Sequence, residues 1–178
     1  MTRPTRDFEA SIYHIAAHGS DVRQLFLSAE DRDRFLERLT LSFWPLEIRV
    51  LDYVLRRNHY HTLVFTPDER LSKGLQDLHT KYSREHNRRH GRSAHLFRAH
   101  CLTRAVTSTE QLLNAYRYVA RNPVRANLVL DPLEWPWSSA RAHAGLEPPA
   151  IPLDERPLRE AFDDDPNWRD RYREHIRR

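Results

Sequence analysis

Residues 53–65 read Tyr-Val-Leu-Arg-Arg-Asn-His-Tyr-His-Thr-Leu-Val-Phe. No other stretch restricts the fold as much. Strand side chains alternate faces, so residues at i and i+2 point the same way, about 6–7 Å apart. His59 and His61 therefore share one face with Leu63 and Phe65, while Tyr60 points to the other. Upstream, residues 46–55 alternate well enough for a partner strand, with Ile48, Val50 and Tyr53 apolar, and Arg57-Asn58 supplies the turn. A β-hairpin carrying paired imidazoles is the expected centre of the fold.

The flanking segments extend that hairpin into a domain. Residues 12–16 read as a first strand closed by Gly19-Ser20. Ser28 is an N-cap candidate with Asp31 three residues on, and Phe35, Leu36 and Leu39 recur with helical spacing up to Phe43, before Trp44-Pro45. Leu71, Leu75, Leu78 and Tyr82 form the apolar stripe of a second helix, which frays at Arg89-His90-Gly91. Leu96, Phe97 and residues 101–106 suggest another strand. Ser108 then caps a third helix, with Gln111 in the capping-box position and Leu112, Leu113, Tyr116 and Val119 periodic. Pro123 is expected to stop that helix near Asn122. The indoles of the Trp135–Ser139 segment read as packing anchors. Residues 1–7 read as a polar lead, and from Glu147 the chain turns Pro-rich and acidic, net −2, with a last helix from Asn167. The order β, α, β-hairpin, α, β, α predicts an α+β fold of the ferredoxin-like kind, a mainly antiparallel sheet with helices packed on one face. Residues 1–146 would be the domain and 147–178 an appended tail.

Composition narrows the function classes. No apolar run approaches the roughly 20 residues of a membrane span, and there is no signal-peptide core, so the expected compartment is cytoplasmic. The single cysteine, Cys101, excludes an internal disulfide framework and a cysteine-rich zinc site, and reads as a buried small hydrophobe. The net charge of +4 hides an asymmetry: residues 70–104 carry nine Lys or Arg against Asp77 and Glu85, so the rest of the chain is net −3. A localised basic band is the footprint of a polyanion partner. A solvated, salt-bridged helix face would need more interleaved acids.

His-x-His alone is a weak motif. Eleven histidines in 178 positions give roughly 0.6 such pairs by chance. A closed structural zinc site would need two further ligands, whereas an open site leaves positions for water or phosphate oxygens. Tyr118 and Asn122 stack at i and i+4 on the third helix, and Asn122 lies near its C-terminal end, where the macrodipole favours a cation. Asn122 could supply a third ligand with the Tyr118 hydroxyl beside it. Equally, Tyr116 and Tyr118 could be ordinary core or rim aromatics and Asn122 a helix cap.

Five segments in order carry a resemblance. They are residues 53–64 with Asn58-His59-Tyr60-His61, residues 71–89, His95-Leu96-Phe97, residues 118–125, and residues 135–139. Over residues 10–145 the chain resembles the REP-associated tyrosine transposases, single-tyrosine members of the HUH endonucleases. The resemblance implies His59, His61 and Asn122 as ligands of Mg²⁺ or Mn²⁺ and Tyr118 as the nucleophile, with Tyr116 the competing phenol. It implies cleavage and rejoining of single-stranded DNA at palindromic hairpins through a 5′-phosphotyrosine, in a cytoplasmic, nucleoid-associated protein. Lys73, Lys81, Arg84, Arg88, Arg89 and Arg92 would then contact phosphates. Arg56-Arg57 stand where the family usually has Met-Pro, a departure beside the expected site. A non-catalytic hairpin-binding protein and a structural zinc protein are the competing classes.

Overall fold

A computed structural model of the chain describes residues 11–20, 24–93 and 95–178, so the expected polar lead at 1–7 lies outside the described residues. Four strands, β1 (Ser11–His18), β2 (Arg49–Arg56), β3 (His59–Thr66) and β4 (Leu102–Val106), form one antiparallel sheet in the order β2-β3-β1-β4. With α1 (Ala29–Phe43) between β1 and β2, and α2 (Asp68–Arg89) between β3 and β4, this is the ferredoxin-like βαββαβ arrangement.

Local chemistry sets the boundaries. Ser28 and Asp31 form a capping box at the start of α1, as their spacing predicts. At the other end Trp44–Leu46 tighten into a 3₁₀ turn and Glu47 takes a left-handed φ of 56°. That turn delays β2 to Arg49. Leu96 and Phe97 do not join β4; Phe97 makes only an isolated bridge to Gly19.

The sheet is apolar on both faces. Ile15, Ala17, Val50, Tyr53, Leu55, Tyr60 and Val64 pack with Phe35, Leu39, Leu78 and Tyr82 of α1 and α2, the helix pair expected on one face. Leu51, Val54 and Leu63 face the other way and meet Leu112, Tyr116, Val119 and Ala120 of α3 (Thr109–Arg125). The signal for this second layer is in β2, where Val50, Leu51, Tyr53, Val54 and Leu55 put apolar residues on both faces, and all are buried, with the buried Asp52 beside Leu63.

Two expectations about the C-terminal half change. The third helix runs through Pro123 to Arg125, because a proline in the last turn forfeits one intrahelical bond while the chain beyond it still closes through Ala126 N–H to the Pro123 carbonyl at 3.2 Å. Residues 147–178, expected as an appended tail, are packed into the body. Leu158, Phe162, Trp168, Tyr172 and Ile176 are buried in the same cluster as Tyr116 and Val119. A final helix α6 (Trp168–Arg177) lies against α3, following the short helices α4 (Ala140–His143) and α5 (Arg156–Glu160). Its apolar residues recur at i, i+4 and i+8, which is why it buries one face despite the acidic surroundings.

The Trp135–Ser139 segment covers the free edge of β2. Leu55 N–H donates to the Trp137 carbonyl at 2.8 Å, Ser139 N–H to the Tyr53 carbonyl at 3.1 Å, and the Trp135 indole to the Leu55 carbonyl at 3.1 Å. Pairing this edge removes an aggregation-prone template. Cys101 is half-buried rather than buried, packed at the margin of the first core.

Candidate active site

The hairpin and the third helix converge on the α3 side of the sheet. The antiparallel register sets His18 opposite His59, Ala16 opposite His61 and His14 opposite Leu63. His14, His18, His59 and His61 therefore project from one face, with the small Ala16 leaving room between them. His14 stacks on His61 at 5.2 Å between ring centroids, and His18 on His59 at 4.9 Å.

Hydrogen bonds orient the central pair. His59 Nδ1 donates to Asn58 Oδ1 at 2.8 Å. Burial above all, with the neighbouring Arg56 and His18, holds the His59 pKa down to about 4, so the ring is neutral near neutral pH and Nε2 carries a bare lone pair. That nitrogen faces Asn122 Oδ1 at 3.4 Å. His61 Nδ1 and His14 Nε2 share a hydrogen bond of 3.1 Å, and burial followed by the other imidazoles lowers the His61 pKa to about 3.

Helix α3 brings the tyrosine. Ser108 Oγ accepts from Gln111 N–H at 3.2 Å, while the Gln111 side chain reaches back to Thr107 N–H at 3.0 Å. Leu112, Tyr116 and Val119 bury the helix's inner face and rotate Tyr118 outward. The Tyr118 ring is 37% exposed, 5.3 Å from the His61 ring and 5.6 Å from His14, with the Arg125 guanidinium 5.2 Å above it. Tyr116 is wholly buried, and its hydroxyl has no hydrogen-bond partner among the described residues. Of the two phenols only Tyr118 can meet a macromolecular substrate.

The structure thus brings His59, His61, Tyr118 and Asn122 into one locality. It does not bring the basic band there. Lys73, Lys81, Arg84, Arg88 and Arg89 lie on α2, across the sheet, and Arg92 lies just beyond that helix. Lys73, Arg84, Arg88 and Arg92 are exposed and form no ion pair with a described residue, whereas Lys81 pairs with Asp77 at 2.9 Å and Arg89 with the buried Asp31. Arg104 is the member of the band that reaches the tyrosine's side. A groove of about 610 Å³ between β4 and α3 is lined by His14, Arg104, Gln111, Asn114 and Tyr118.

Two acceptors, the bare His59 Nε2 and Asn122 Oδ1, converge beside a second neutral imidazole, and each histidine is held from behind. This donor set fits a divalent ion, and imidazole favours Mn²⁺ over Mg²⁺. One residue competes. Arg56 Nη1 donates to Asn122 Oδ1 at 2.8 Å and to the Asn122 carbonyl at 2.9 Å. The departure from Met-Pro thus places a fixed cation on the expected amide ligand. His14 and His18 were missed from sequence: His14 lies within the expected first strand, but His18 lies two residues past its expected end, and β1 runs on to His18.

A βαββαβ sheet with a histidine cluster on one face and a solvent-facing tyrosine on the helix beside it is the class that fold and geometry define. No family model matches the sequence, and no curated protein matches it. Among solved structures, the chain is similar to a REP-associated tyrosine transposase bound to a REP hairpin, with a TM-score of 0.61, 15% sequence identity, and coverage of 87% of this chain and 93% of that one. At that identity the likeness shows a common fold.

Proposed function

We propose that the protein is a single-stranded DNA transesterase that cuts and rejoins strands next to hairpins, with Tyr118 as nucleophile. The observation that carries this reading is the placement of the exposed Tyr118 ring against His61 while His59 Nε2 faces Asn122 Oδ1 at 3.4 Å. His59, His61 and Asn122 would hold Mn²⁺ or Mg²⁺. When bound, a divalent ion supplies charge neutralisation on the scissile phosphate. Tyr118 Oη attacks phosphorus; the new O–P bond replaces the bond to the 3′ oxygen, which takes a proton from solvent to leave as a hydroxyl, and the phenolic proton leaves to solvent through the open groove. Arg125 sets a positive charge beside the ring that becomes the phosphotyrosine. Arg104 and the exposed Lys73, Arg84, Arg88 and Arg92 would bind phosphates on two sides of the sheet, so the DNA would pass around the β4 edge.

The similarity of fold to a transposase that binds a REP hairpin supports a hairpin as substrate. The test is a labelled hairpin oligonucleotide with a single-stranded extension, incubated with protein and Mn²⁺ and then denatured. A covalent adduct is expected, lost in Tyr118→Phe and in EDTA. An adduct that survives Tyr118→Phe overturns the nucleophile assignment.

A second reading is favoured by one observation, the guanidinium of Arg56 on Asn122 Oδ1. A protein in which Arg56 permanently takes that place would bind hairpins without cutting them. It would give retention of the oligonucleotide with no adduct under any metal.

A further inference from the structure

The beginning of α1 and the end of α2 meet at a second cluster, on the opposite face of the sheet from Tyr118. Asp31, His86 and His90 each offer a donor atom, and the three atoms lie within 4.8 Å of one another. His86 and His90 stand at i and i+4 on α2, with ring centroids 4.5 Å apart. His90 Nε2 is 2.9 Å from Asp31 Oδ1.

His86 is the unexplained member. Its side chain is 0% exposed, and neither ring nitrogen has a hydrogen-bond partner among the described residues. A neutral imidazole has one donor and one acceptor, and leaving both unmet inside a protein costs on the order of 1–3 kcal/mol for each group. Asp31 is also wholly buried. Its Oδ2 accepts from Leu27 N–H at 2.7 Å and Ser28 N–H at 3.2 Å, which turns Oδ1 toward the histidines. Arg89 also reaches Oδ1, and the Tyr82 hydroxyl fixes the surrounding backbone through the Leu25 carbonyl at 2.7 Å and the Asp31 carbonyl at 3.2 Å.

We propose that Asp31, His86 and His90 form a zinc site, separate from the candidate active site, that ties the start of α1 to the end of α2. Two imidazoles and one carboxylate are ligands zinc takes, and four-coordinate zinc brings N and O donors to about 2.0–2.2 Å, hence to about 3.3 Å from one another. Binding would draw these donors together from that spread. Partly exposed His90 leaves the fourth position to water, and the Leu27 and Ser28 amides on Oδ2 act as the outer partners that orient a ligating carboxylate, while Arg89, which donates to Oδ1, would have to swing aside for the ion. The ion would answer one of the two unmet nitrogens of His86 and steady the last turns of α2, where Arg84 and Arg88 face solvent.

The experiment uses the full chain carrying His59→Ala and His61→Ala, so that the candidate active site no longer competes. The chelator-stripped protein is titrated with Zn²⁺ against a chromophoric chelator, then with Co²⁺ by visible absorption, and melted with and without Zn²⁺. Expected are one equivalent of tightly bound zinc, the intense Co²⁺ bands of a tetrahedral site, and a higher melting midpoint with zinc. Adding His90→Gln, at the one ligand position that is partly exposed, is expected to weaken zinc at least about tenfold and abolish the shift. No saturable zinc binding, binding unchanged by His90→Gln, or the weak Co²⁺ spectrum of an octahedral site would each overturn the assignment. Because Tyr118 chemistry is not read out, failure here leaves the transesterase reading to its own test.

Discussion

Replacing Arg56 by Met removes the one cation fixed on the expected metal ligand. Arg56 Nη1 lies 2.8 Å from Asn122 Oδ1, so an ion bound to that oxygen at about 2.1 Å would stand within about 5 Å of the guanidinium. Repulsion between single and double charges at that distance is roughly 2 kcal/mol at the dielectric of water and about 7 kcal/mol at an effective dielectric of 20. Arg56 can escape the repulsion by swinging out, at the loss of its bonds to the Asn122 side chain and carbonyl. A charged hydrogen bond is worth about 1.5–3 kcal/mol, so losing both costs about 3–6 kcal/mol, and the penalty on the metal is set near that cheaper route. At about 1.4 kcal/mol per decade, Arg56→Met should tighten Mn²⁺ roughly a hundredfold to ten-thousandfold. The assay is Mn²⁺ titration followed by electron paramagnetic resonance of the free ion, with the His59→Ala/His61→Ala chain as the blank that isolates this site. The substitution should also lower stability by about 1–2 kcal/mol, since it leaves the Asn122 carbonyl without that donor. Mn²⁺ affinity that is unchanged or weaker in Arg56→Met would refute the argument that Arg56 and the ion compete for one oxygen.

Truncation after residue 146 should leave no folded protein by circular dichroism. The lost anchors Leu158, Phe162, Trp168, Tyr172 and Ile176, at about 1.5–3 kcal/mol each, match the whole stability of a typical domain. Burial alone would lower the pKa of His143, but Glu155 at 3.2 Å and Asp52 at 3.6 Å outweigh it and raise the value to about 9. Since the folded value lies above the unfolded value of about 6.5, the stabilisation is complete below pH 6.5 and is lost as pH rises toward 9. Denaturant melts across pH 6–9.5 should show that decline, on the order of 3 kcal/mol, and His143→Gln should flatten it; a decline that persists in the variant would assign it to another group. Arg88→Ala and Arg89→Ala separate surface from core charge: Arg88→Ala should reduce the salt slope of hairpin binding by about 1 without altering stability. Arg89→Ala should cost about 1.5–3 kcal/mol in urea denaturation by removing the charged hydrogen bond to the buried Asp31 carboxylate, which keeps the Leu27 and Ser28 amides, and equal effects of the two on the salt slope would contradict this division.

What could be read from the chain was what short-range periodicity encodes. The alternation at residues 59–65 fixes which side chains share a face with His59 and His61, and the Ser28–Asp31 spacing fixes where α1 begins, because both are settled within a few residues. The other contributors arrive through pairings between distant segments. His14 and His18 reach the histidine pair only through the β1–β3 register, and Tyr172 meets Tyr116 only because α6 folds back on α3. No local pattern carries a register. The composition of residues 147–178 actively misleads, since acidic and proline-rich sequence surrounds an apolar spacing of four that buries as firmly as the central helices. Arg56 stands between these cases. Its identity marked the turn before His59 as unusual, but only the geometry shows that the guanidinium settles on the amide oxygen facing His59. The same contact supports two opposite readings. A metal that displaces Arg56 gives a strand-transfer enzyme whose ligand set assembles on binding, and an Arg56 that never leaves gives a hairpin binder. The free-energy difference between those outcomes is a few kcal/mol at one side chain, within the reach of a single substitution.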